Sequence, residues 1–162
     1  MHRPEQVATR PHMDEAPLAL AAQLQAWLGR VVGCTDWELL DAARLRAFEC
    51  ACGGGAAAAC CPAATVPLEL LLALSAPLGL RLMAARVRAQ HVVNIGTECV
   101  RYGAEVPAPA WVRGRLSLLD VQDKRMGRLL VRTAVQIEVR GRPEPAVQGT
   151  VTWLLQAWPA TG

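Results

Sequence analysis

The strongest constraint in this chain is Ala63–Leu80, an apolar stretch long enough to raise the question of a membrane span. Glu69 lies inside it, and Pro67 and Pro77 interrupt it, so a helix buried in a protein core is the better reading. The helix itself is expected over about Val66–Leu78, apolar nearly all round. A helix of that kind has to be wrapped by other structure.

The second half of the chain supplies the wrapping. Strands are expected over Val87–Val106 (one long strand, or two with a kink at Gly96), Trp111–Val121, Leu129–Arg140 and Val147–Trp158. Leu129, Val131, Thr133, Val135, Ile137 and Val139 fall on one face of the third of these. Arg132, Gln136, Glu138 and Arg140 fall on the other, so that sheet has one wet side. Met126-Gly127 suits a hairpin turn, and Gly141–Pro145 is a Pro/Gly connection. Ahead of the apolar helix, Pro17–Leu28 reads as a short amphipathic helix with Leu20, Leu24 and Trp27 at helical spacing. Val31–Glu38 reads as a strand. Asp41 is placed to cap a helix through Cys50, with Leu45, Phe48 and Cys52 on its apolar face. Gly53–Pro62 commits to nothing on its own.

A strand, helices, one very apolar helix and four antiparallel strands fit together as a curved sheet wrapped round a central helix. The expected fold class is therefore α+β of the hotdog type. Residues 1–16 are expected to be a flexible leader and 17–162 a single domain, in line with a length of 162 residues. An edge strand in such a sheet pairs across a two-fold axis, so a homodimer is expected.

Composition narrows the function classes. The net charge is +3, nearly all the basic residues are arginine, and they are scattered along strands, which speaks against nucleic acid as a partner. With no apolar segment near the start to act as an export signal, a soluble cytoplasmic protein without membrane association is expected. Six cysteines occur, four of them within Cys50–Cys61. Their C-x-C…CC spacing lacks paired zinc knuckles, so small buried thiols are expected, with no metal and no cofactor.

Leu28–Cys52, including Thr35-Asp36-Trp37 after the first strand, resembles the opening of the MaoC-like (R)-specific hydratases. So do Asn94-Ile95-Gly96, Val100-Arg101-Tyr102 and Glu105-Val106-Pro107, and the Arg113-Gly114-Arg115 and Thr152-Trp153 strands continue the match. The resemblance implies an acyl-thioester chemistry carried by a G-D-x-N-P-x-H turn after the second helix, whose Asp and His add or remove water. Here Gly54 stands where the aspartate belongs, and only Gly55 and Ala56–Ala59 precede Cys60-Cys61-Pro62. The acid–base pair is missing.

Five residues remain as site candidates. His91 is a candidate base on the first long strand, and Glu69 a candidate acid if the apolar helix buries it. Asn94 and Tyr102 match the acyl-pocket strand of the resemblance, and Trp37 is a candidate pocket aromatic. The leading expectation is an enzyme that binds a hydrophobic acyl or polyketide-type chain, free or carrier-bound, and cyclises it by positioning, pericyclic closure included. The alternatives are a non-catalytic subunit of a heterodimeric hydratase, and a dehydratase or thioesterase working through Glu69 or His91.

Overall fold

The computed structural model describes residues 15–53, 65–87, 89–124 and 126–156. The element order is α1 (Glu15–Gln25), β1 (Val31–Cys34), β2 (Glu38–Leu40), α2 (Ala42–Ala51), α3 (Leu68–Arg86), β3 (His91–Tyr102), β4 (Ala110–Asp123), β5 (Arg128–Val139) and β6 (Val147–Gln156). The strands form one antiparallel six-stranded sheet in the order β1-β4-β5-β6-β3, with β2 also paired to β4. α3 lies against one face. This is the curved sheet around an apolar helix that the sequence pattern predicts.

Helix α1 starts at Glu15, two residues before the expected edge of the folded region, and ends at Gln25; residues 1–14 lie outside the described residues. Leu20 and Leu24, one turn apart, are buried, and Trp27 packs beside them. The expected strand Val31–Glu38 is two strands. Thr35 is where the ladder stops: its N–H still donates to the Gly114 carbonyl at 2.9 Å, but its Oγ1, in place of a backbone carbonyl, accepts from the Gly114 N–H at 3.0 Å and donates to the Asp36 carbonyl. Asp41 caps α2 as expected, accepting from the Arg44 N–H at 2.9 Å. Leu45 is fully buried and Phe48 half-buried. Cys52 is exposed, because the helix ends there and the chain turns away through Gly53 at φ +86.

Helix α3 corrects the reading of Pro77 as a break. It runs eight residues past Leu78, to Arg86, with Pro77 in its interior. A proline there costs about 3 kcal/mol through a lost hydrogen bond and a clash with the preceding turn. Beyond it Leu78, Leu82 and Met83 are buried, each worth about 1.5–3 kcal/mol, and their sum exceeds the penalty. Pro77 itself faces away from the sheet. The helix has the length and composition to cross a membrane, but Leu70, Leu71, Leu74 and Leu78 are buried against the sheet as a core helix.

The contact between α3 and the sheet is close at two glycines. A Cβ on Gly79 would stand 2.8 Å from the Trp153 ring, and one on Gly114 would stand 2.8 Å from Leu78 Cβ. These positions let helix and sheet approach to backbone distance. Trp153 is buried with its indole N–H donating to Thr133 Oγ1 at 2.8 Å, and Thr133 in turn donates to the Val151 carbonyl at 3.2 Å. The one hydroxyl on the buried face of β5 thus serves the one indole buried among the described residues. The β4–β5 hairpin turns at Met126 and Gly127, both at positive φ, the conformation that matches strand twist.

Candidate active site

Strand β3 is the outer strand of the sheet beyond β6, and none of its twelve residues is fully buried. Its register against β6 slips twice, between Asn94 and Gly96 and between Glu98 and Arg101. The first slip lies where the kink at Gly96 is expected. Asn94 makes it locally: its Oδ1 accepts from the Gly96 N–H at 3.0 Å. That bond occupies the carbonyl end of the side chain and leaves the exposed amide N–H pair as donors. At the second slip Cys99 takes φ 54 and its thiol is exposed.

Pairing assigns faces. Asn94 is opposite Trp153 and Tyr102 opposite Val147, both buried, so these two candidates lie on the helix side of β3. His91 is opposite Gln156 and alternates with Val92, which pairs buried Leu155, so His91 lies on the outer side. Trp37 also lies on the outer side, next to Arg113 and Arg140 at 4.6 and 5.1 Å from its ring centre. That removes it from any site shared with Asn94 and Tyr102.

The two ends of β3 separate the rest. Eight residues of strand between Asn94 and Tyr102 amount to roughly 26 Å. α3 feeds into β3 at the His91–Asn94 end. Its own N-terminus is tied to the other end by the Thr65–Pro107 bridge and the Val66 N–H donating to the Val106 carbonyl. Glu69 and Tyr102 therefore share one end of the molecule, and His91 and Asn94 share the other on opposite faces. Glu69 is exposed in the first turn of α3, where a carboxylate complements the helix dipole. The burial on which an acid role for it depended is not there.

The Glu69–Tyr102 end is also where the α2–α3 connection re-enters the fold. Residues 54–64 of that connection, including Gly54, Gly55, Ala56–Ala59, Cys60 and Cys61, lie outside the described residues. An open cleft of about 390 Å³ sits beside Tyr102, lined by Arg101, Gly103, Glu144, Pro145 and Gln148. Arg101 and Glu144 are groups that sequence reasoning passed over. Glu144 sits in the Gly141–Pro145 connection, and only pairing of β3 with β6 brings it to the cleft. Cys34, Cys50, Cys52 and Cys99 are all exposed, against the expectation of buried thiols; they sit at strand and helix ends and a bulge, outside both core clusters. Among the described residues no group of three His, Cys, Asp or Glu side chains is arranged to hold a metal.

Glu38 joins β2 to two helices. It accepts from Arg44 of α2 at 2.9 Å and from Arg81 of α3. Partial burial works against its charge, but the hydrogen bonds from Arg81 and Arg44 prevail and hold its carboxyl below the ordinary value of 4.5.

No protein-family model matches the chain. The 3-hydroxyacyl-thioester dehydratase Z of Mycobacterium tuberculosis is 29% identical over 137 residues, 77% of this chain and 88% of that protein. The MaoC-like dehydratase from Rhodospirillum rubrum superposes with a TM-score of 0.59 at 16% identity, over 82% of this chain and 94% of that one. The HadBC (3R-hydroxyacyl-ACP dehydratase) complex of Mycobacterium tuberculosis superposes with a TM-score of 0.56 at 16% identity, over 78% and 96%.

Proposed function

We propose that this MaoC-like hotdog protein binds a hydrophobic acyl or polyketide-type chain and acts on it by positioning, without the proton transfers of hydration. The observation that carries this reading is the composition of the α2–α3 connection: between Cys52 and Thr65 it holds only glycine, alanine, cysteine and proline. The resemblance places the acid and the base in that stretch. Each proton-transfer role contributes about 10²–10⁴-fold, and a chain with neither forfeits both. Holding a polyene or polyketide in a reactive fold needs no such pair, and correct placement alone contributes several kcal/mol, up to about 7–11.

Asn94, with its free amide donors, and Tyr102 are the residues suited to a carbonyl along the chain. Glu69 and His91 keep no catalytic part in this reading. The exposed length of β3, with Val93 and Ile95 about half exposed, suits pairing with a second copy along its free edge. The test is direct. Purified protein is incubated with crotonyl and 3-hydroxyacyl thioesters and with a linear polyene thioester, and products are followed by mass spectrometry. Hydration or dehydration at an ordinary enzymatic rate overturns the proposal; an isomeric cyclic product from the polyene supports it.

A second reading, a non-catalytic subunit beside a dyad-bearing partner, is favoured by the likeness to a two-protein dehydratase complex. Co-purification with such a homologue, and inactivity alone, separates it from the first.

A further inference from the structure

The outer face of the sheet carries a stack that the acyl-binding reading does not use. Trp37 precedes β2, Trp111 and Arg113 are on β4, and Arg140 follows β5. The Arg113 guanidinium lies 4.6 Å from the Trp37 ring centre, Arg140 lies 5.1 Å from the same ring, and Arg140 lies 4.6 Å from the Trp111 ring. Cation and indole therefore alternate along one ladder. Arg113 is also bound to Glu138 at 2.7 Å, and Arg115 reaches the same carboxylate at 3.4 Å. Two guanidiniums thus share one carboxylate. Among the described residues Arg140 has no carboxylate partner; the Trp37 and Trp111 rings flank its guanidinium.

Apolar surface adjoins this charge. Leu39, opposite Trp111 in the β2–β4 register, is 38% exposed and Trp111 is 41% exposed. Exposed tryptophan and leucine beside an arginine held flat is the composition of an interface core, where such groups carry most of the binding energy. A guanidinium is the side chain that matches a carboxylate with two parallel hydrogen bonds. Elsewhere on this face Arg132 is neutralised by Glu98 at 2.5 Å, which interrupts a stripe along which a nucleic-acid backbone could run.

We propose that Trp37, Leu39, Trp111, Arg113 and Arg140 form a docking surface for an acidic protein. Resting on the acyl-chain reading above, that partner is the acidic carrier protein that brings the chain as a thioester, in preference to coenzyme A. The patch lies on the opposite face from Asn94 and Tyr102, so docking leaves the acyl-binding side open.

The experiment uses the full-length protein and an acidic acyl carrier protein in its apo form, which bears no arm or acyl chain. Binding is measured by calorimetry at low and high salt. The expected result is binding that weakens at high salt, and a loss of at least tenfold in Arg140→Glu. Trp111→Ala, which leaves every charge in place, loses affinity in the same direction. Circular dichroism confirms that both variants fold, as exposed positions should. Equal binding by wild type and both variants, or no binding at all, overturns the proposal. So does a patch that instead takes single-stranded RNA, or one whose variants change only self-association. Because the probe carries no substrate, failure of the acyl-chain reading appears separately, as absence of turnover of the polyene thioester by wild type.

Discussion

Strands β3 and β5 are both twelve residues long and both rich in branched apolar residues, yet one is half core and the other has no fully buried position. On β5 every second residue from Leu129 to Val139 is buried, because β4 and β6 flank it and α3 covers the face it presents. On β3 the apolar residues are doubled (Val92-Val93), offset by two register slips, and flanked on one side only. Placement in the sheet, more than composition, separates them. A strand built like β3 is stable as a surface waiting to be covered, and the candidate site sits on it.

The contrast can be broken most severely from the β5 side. Trp153→Ala removes the largest side chain buried among the described residues and should cost about 3–5 kcal/mol, read as a drop in the denaturant midpoint. Thr133→Val should cost about 1–3 kcal/mol, since it keeps the volume but strands the Trp153 indole N–H in the core. Retention of full stability by that variant would show that water or a shifted partner reaches the indole.

On β3 the same kind of change should do little to the fold and much to assembly. Val93→Asp with Ile95→Lys should shift monomer stability by only about 0.5 kcal/mol. If β3 pairs two copies, sedimentation should move from dimer to monomer. An unchanged dimer would place the interface elsewhere.

The smallest effect concerns Glu38. Its folded carboxyl titrates below the ordinary value of 4.5, so its contribution is present above that value and is lost as pH falls through the lower folded value. Glu38→Gln should flatten the acid limb of stability by about 1 kcal/mol or less, as suits a pair that is partly solvated. A steeper acid limb in the variant would reverse the sign argued here.

Much of the fold was legible along the chain because it rests on local periodicity. The alternation of β5, the Asp41 cap, the Leu20–Leu24 spacing and the Met126-Gly127 turn are set within a few residues of each other. Pro77 and Thr35 were misread for a shared reason. A proline penalty is local, but the burial of Leu78, Leu82 and Met83 that offsets it comes from a sheet formed much later in the chain. The split at Thr35 depends on the backbone of Gly114.

The site was less legible still. Sequence alone determined that the α2–α3 connection lacks aspartate, glutamate and histidine, because an absent side chain is absent in every conformation. Only the tertiary structure decided which candidates share a face. It put Asn94 and Tyr102 on the helix side of β3 but at opposite ends, left Glu69 in solvent, and sent His91 and Trp37 to the outer surface. Those outcomes follow from strand register and from what covers each face, and both are set by pairings between residues far apart in the chain.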